Sequence, residues 1–129
     1  MIKLNKVHHI ALICADYSRS KHFYIDILGL SIIQEIYRED RDSYKLDMAL
    51  NGNFIIELFS FKNPPKRVSS PEAAGLRHLA FEVNDIQETR KYIVEQGCAA
   101  EDIRIDTFTK KRFFFTSDPD DLPIEFYEI

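Results

Sequence analysis

The sequence predicts an α+β fold made of two tandem βαβββ modules, and three observations predict it. The stretch Leu76-Arg77-His78-Leu79-Ala80-Phe81-Glu82-Val83 restates Val7-His8-His9-Ile10-Ala11-Leu12-Ile13-Cys14, with His78 on His9 and Ala80 on Ala11. Each copy then runs into an acidic residue (Asp16, Asp85) and a helical pattern that stops at a glycine (Gly29, Gly97). Each copy ends on an apolar strand with one glutamate in its middle, Glu57 or Glu125. The offset between the histidines is 69 residues of 129, the mark of a duplicated unit. Each half alone is too small for a good core, so the halves are expected to pack as a pair within one domain over residues 1–129.

Val7 to Cys14 alternates as a strand, with His9, Ala11 and Ile13 on one face and His8, Ile10 and Leu12 on the other. Asp16 or Ser18 can cap the helix that follows, because a short side-chain oxygen accepts from its free N–H groups. Phe23, Tyr24, Ile27 and Leu28 form the apolar stripe of that helix, and Gly29 ends it. Ser31 to Arg38 and Tyr44 to Leu50 read as strands, the latter with Tyr44, Leu46, Met48 and Leu50 on one face. Asn51-Gly52 is a tight-turn signal, and Phe54 to Phe59 is the returning strand. This completes a first module of about residues 5–61.

Residues 62–75 change character, with Pro64, Pro65, Pro71 and a Ser69-Ser70 pair, and read as a linker. Its Lys62, Lys66 and Arg67 either guide an anionic ligand or are simply solvated. The second module, about residues 76–129, repeats the order. After strand Leu76 to Val83, Asp85 with Glu88 makes a helix cap, and Ile86, Tyr92 and Ile93 form the buried side of the helix. Ala99 to Ile105 and Lys111 to Thr116 read as strands, Asp118 to Pro123 as a turn, and Ile124 to Ile129 as the closing strand.

A composition of 45% hydrophobic and 29% charged residues is that of an ordinary globular protein. A net charge of −4 supplies no attraction to nucleic acid or to an anionic membrane, and neither is expected as a partner. The apolar run Ile10 to Ala15 is too short for a signal or membrane segment, so a cytoplasmic location is expected. Cys14 falls opposite Val83 in the repeat and Cys98 opposite Leu30, which suits buried thiols in a reducing compartment.

The glutamates carry the chemistry. Glu57 follows His9 by 48 residues, and Glu125 follows His78 by 47. A carboxylate amid apolar strand residues is costly to bury without a cation or hydrogen bonds, and the same cost at equivalent places in both copies asks for one cause. A shared divalent metal is such a cause: two neutral imidazoles and two carboxylates bind it with charges summing to zero. Singly, each residue has a plainer reading, as a satisfied core histidine or as an edge glutamate facing water. His8 faces away from His9, and the repeat puts Arg77 at its place. His22, on a helix without counterpart, reads as surface or packing.

The runs His9-Ile10-Ala11-Leu12, Phe23-Tyr24 with Leu28-Gly29-Leu30, Ile55-Ile56-Glu57-Leu58, Arg77-His78-Leu79-Ala80-Phe81 and Asp118-Pro119-Asp120 with Pro123-Ile124-Glu125-Phe126-Tyr127-Glu128 resemble the glyoxalase I group of the vicinal oxygen chelate superfamily. The resemblance covers nearly the whole chain. It implies paired modules whose curved mixed sheets form a cup around a metal, with His9, Glu57, His78 and Glu125 as its ligands. It further implies a small-molecule substrate and a homodimer, in some relatives with each site shared between chains. Two nitrogen and two oxygen ligands with water suit one divalent ion per site, Ni, Zn, Co or Mn alike.

By the same resemblance the protein is a metal-dependent lyase or isomerase that moves a proton beside a carbonyl through an enediolate, with Glu125 as base and Glu57 as its partner across the substrate. Ile13 and Phe61 stand where glutathione-using glyoxalases carry an arginine and an asparagine, which argues against lactoylglutathione as substrate. The family's DPDG turn reads Asp118-Pro119-Asp120-Asp121. Arg112, beside Phe113, Phe114 and Phe115, is either a ligand for an anionic substrate or an exposed strand charge. The alternatives in function are an epimerase acting beside an acyl thioester, and a binding protein that sequesters a small molecule or drug without chemistry.

Overall fold

The computed structural model describes residues 1–129, which divide into two compact units, Met1–Pro65 and Lys66–Ile129. The first contains β1 (Ile10–Cys14), α1 (Tyr17–Lys21) continued by a π-helical segment (His22–Ile27), β2 (Ser31–Arg38), β3 (Ser43–Leu50) and β4 (Asn53–Ser60). The second contains β5 (Leu79–Val83), α2 (Ile86–Glu95), β6 (Arg104–Ile105), β7 (Arg112–Ser117) and β8 (Pro123–Glu128). Their sheets have the same order, β1-β4-β3-β2 and β5-β8-β7-β6, in which only the first pair of strands is parallel. The predicted α+β class and duplicated βαβββ order are present.

In the first unit the alternation of β1, β3 and β4 sends Leu12, Cys14, Leu46, Met48, Ile56 and Leu58 to a buried face, with Phe23, Tyr24 and Ile27 also buried. The second unit buries Leu79, Phe114, Ile124 and Phe126 with Ile86 and Ile93 of α2. Period-2 patterning therefore leaves Ala11, Glu57, Ala80 and Glu125 on the opposite faces of their sheets. The two helices begin alike, Asp16 accepting from the Arg19 amide and Asp85 from the Glu88 amide. At the β3–β4 hairpin both Asn51 (φ 51°) and Gly52 (φ 79°) take the left-handed conformation that a two-residue turn between twisted strands requires.

Several elements differ from expectation. β1 and β5 start at Ile10 and Leu79, later than predicted, because parallel pairing begins at Ile10–Ile56 and Leu79–Ile124. His9 and His78 therefore stand immediately ahead of their strands. The first helix is not α-helical throughout: beyond Lys21 it widens into a π-helical segment. Tyr92 is 40% exposed, so α2 buries Ile86 and Ile93 without it. A bulge after Met48 interrupts the face predicted for β3; Leu46 and Met48 are buried, while Tyr44 and Leu50 at its ends are exposed. Of the predicted strand Ala99 to Ile105 only Arg104–Ile105 pairs, although the Glu101 amide donates to the Phe115 carbonyl and the Thr116 hydroxyl donates to that of Ala99.

Both cysteines are free. Cys14 is buried and Cys98 partly so, with its thiol pushed up by desolvation. Much of the stretch read as a linker is tied to the second unit. Arg67 donates to the carbonyls of Leu76 and Arg77, and the Ser69 hydroxyl to that of Asp121. The chain has no helix long and apolar enough to cross a membrane.

Candidate metal centre

Each unit sets its histidine against its glutamate. Ala11 pairs with Glu57 between β1 and β4, and Ala80 with Glu125 between β5 and β8. Because His9 and His78 lie two residues before those alanines, they fall on the same face as the glutamates. His9 Nε2 is 3.8 Å from Glu57 Oε1, and His78 Nε2 is 2.9 Å from Glu125 Oε2. The carboxyl side chains are 16% and 13% exposed, so both are largely removed from water. No three His, Cys, Asp or Glu side chains are grouped so that they could hold a metal ion.

The surroundings of the two pairs diverge. His9 stacks on Phe54, with ring centroids 5.0 Å apart, whereas Phe115 meets His78 edge-on at 5.2 Å. His8 does not turn away as strand alternation predicts. It precedes the paired strand, and its Nδ1 lies 2.8 Å from Nδ1 of His9. Arg77 occupies the equivalent place in the second unit and donates to His78 Nδ1 across 2.9 Å. That contact leaves the ring proton on Nε2, facing Glu125. His22 hydrogen-bonds Asp26 one helical turn away, in keeping with a surface role.

Sequence reasoning missed Lys45. On β3 its ammonium lies 2.8 Å from Asp47 and 3.4 Å from Glu57, so part of the cost of burying Glu57 is met inside the unit. Asp47, and secondarily Glu57, raise the Lys45 pKa above the usual lysine range, against desolvation. Opposite charges two residues apart on an alternating strand were the available signal. Lys45 has no counterpart in the repeat, because Phe113 takes its place opposite Tyr127.

Arg112 is not a free cation. Its guanidinium grips Glu128 through Nε and Nη2, the latter at 2.6 Å, and holds that carboxyl far below its ordinary range, at about 2. The arginine above the Phe113 and Phe115 rings is instead Arg104, 4.9 and 5.7 Å from their centroids.

Residues 6–126 are matched by a family model, the Glyoxalase/Bleomycin resistance protein/Dioxygenase superfamily. The chain belongs to this superfamily. It is 56% identical to the uncharacterized protein YwkD of Bacillus subtilis (strain 168) over 125 residues, 97% of this chain and 98% of that one. It is also 56% identical to the uncharacterized protein YaeR of Escherichia coli (strain K12) over 128 residues, 99% of either chain. Among solved structures, SMU.1112c superposes with a TM-score of 0.90 at 43% identity, covering 98% of this chain and all of that one. The superfamily includes many metalloenzymes, and its members bind small molecules and often form dimers.

The donors suit a divalent cation of intermediate softness: imidazole Nε2 atoms beside carboxylates that are mostly out of water. One rearrangement is required. For Nε2 of His78 to bind a cation its proton must move to Nδ1, and Arg77 must then give up its contact there.

Proposed function

We propose that His9, Glu57, His78 and Glu125 together hold one divalent ion and that the protein is a glyoxalase-like lyase or isomerase, which moves a proton beside a carbonyl of a small molecule. The observation that carries this reading is the repeated register, with a histidine two residues ahead of the alanine that pairs with a glutamate, in both units. A bound Ni, Zn, Co or Mn ion would supply Lewis acidity to neighbouring substrate oxygens.

The chain's own residues divide the remaining work. Lys45 anchors Glu57 through a contact of 3.4 Å, which suits a fixed ligand. Glu125 faces only the imidazole of His78 among ionisable partners within salt-bridge distance, and Phe115 pairs with it across the sheet. It is the freer carboxylate, and so the better base to take a proton from carbon and return it to the neighbouring position. General-base assistance of this kind is worth about 10²–10⁴-fold.

Two measurements test the reading. Metal analysis of purified protein is expected to find a stoichiometric divalent ion that is lost in Glu57→Ala and His78→Ala; unaltered metal content in both variants would end the proposal. Solvent deuterium is expected to enter a responsive hydroxy-carbonyl compound with the wild type, with the rate falling about 10²-fold or more in Glu125→Gln. Undiminished exchange there would remove Glu125 as base.

A further inference from the structure

Beside the His78–Glu125 pair the second unit holds a cavity of about 400 Å³ with Arg67, Arg77 and Arg104 in its wall, against two acids, Glu72 and Glu101. Its volume suits a small metabolite. Phe115 joins the cavity to the pair, since it lines the former and touches the His78 ring edge-on. Pro123, two residues before Glu125 on the same face of β8, lines it as well.

The arginines are only weakly neutralised. Arg67 directs Nε to the Ser69 hydroxyl and Nη2 to the carbonyls of Leu76 and Arg77, all neutral acceptors that fix the side chain and leave its charge in place. Arg104 lies on the Phe113 and Phe115 rings and meets Glu101 at 2.9 Å, but both partners are more than half exposed, where an ion pair is worth little. Arg77 meets Glu72 only at 3.5 Å, and it is the group that must leave His78 Nδ1 when Nε2 takes a cation. A held guanidinium, a stacked one and a releasable one around one cavity form a receptor for an oxyanion.

We infer that this cavity binds an anionic group of the substrate, a carboxylate or a phosphate, chiefly through Arg67 and Arg104, so that the substrate is a small carbonyl compound bearing an acid a few bonds from its reacting carbon. The second half of this statement rests on the proposed function; anion binding itself does not.

The full-length chain, as purified and again after EDTA treatment, is titrated with inorganic phosphate, with glycolate and with uncharged ethylene glycol, following amide chemical shifts. Saturable shifts around Ser69, Ala100 and Arg104 are expected with one or both anions in both preparations and not with ethylene glycol. Whichever anion binds more tightly names the acid group. The dissociation constant is expected to rise about tenfold in Arg104→Gln, and also in Arg67→Lys, which keeps the charge but loses the fork of donors. An unchanged constant in both folded variants, or binding abolished by EDTA and indifferent to Arg104, would overturn the inference. If His78→Ala retained its metal while phosphate binding still depended on Arg104, the metal reading would fail and the anion site would stand.

Discussion

Lys45 shows how one side chain alters the reading of a site. Asp47 is buried on β3, and the Lys45 ammonium at 2.8 Å is its counter-charge, with Glu57 as a second, longer contact. Lys45→Met is therefore expected to strand a buried carboxylate and to cost about 2 kcal/mol at neutral pH, less than for a fully buried pair because Lys45 is partly solvated. Lys45→Met combined with Asp47→Leu should recover most of that loss, and urea unfolding of the wild type, Lys45→Met, Asp47→Leu and the double variant measures the coupling. Arg112 and Glu128 give a pH-dependent counterpart. The folded-state pKa of Glu128 is lowered to about 2 by hydrogen bonds and charge from Arg112. Its contribution is thus present above the ordinary glutamate pKa and is lost as pH falls toward 2. Glu128→Gln should melt below the wild type at pH 7, and the two melting temperatures should converge near pH 2; a constant gap across that range would contradict the assignment.

At the scale of elements, the duplicated halves were legible because each boundary has a local chemical cause. Asp16 and Asp85 cap, and Gly29 and Gly97 stop their helices at φ 80° and 82°. A Cβ added at Gly97 would meet nothing within 4 Å, so a substitution there tests backbone conformation alone. Gly97→Ala should lower stability by about 1 kcal/mol, and Gly97→Asn by less, in thermal or urea melts. What local chemistry did not reveal was set by partners distant in sequence. The late starts of β1 and β5 follow from where β4 and β8 begin to pair with them, and the short β6 from how little of Ala99 to Ile105 pairs with β7. The DPDG departure is accommodated: Asp121 itself adopts φ 65°, while the Asp118 carboxylate accepts from the amides of Asp120 and Leu122. The histidines and glutamates were readable from the repeat. Lys45 and Arg104 were not, because a residue present in only one copy has no register to expose it, and Arg112 misled because its grip on Glu128 is a cross-strand fact.

For the molecule as a whole, a shared centre would have a stoichiometry that two independent half-sites would not satisfy. One imidazole and one carboxylate make a weak chelate, and a site that needs both pairs should bind one ion per chain and fail entirely when either pair is broken. Ion binding to the folded state alone raises stability, by about 2.7 kcal/mol when the free ion is at a hundred times its dissociation constant. Addition of Ni²⁺, Zn²⁺, Co²⁺ or Mn²⁺ to stripped protein should therefore raise the melting temperature of the wild type and leave Glu57→Ala and His78→Ala unmoved. Calorimetric titration should give one ion per wild-type chain and none at comparable affinity in either variant. Two ions per wild-type chain, with one kept by each variant, would mean that the duplicated pairs act separately, and the shared centre would have to be abandoned even though each pair bound metal.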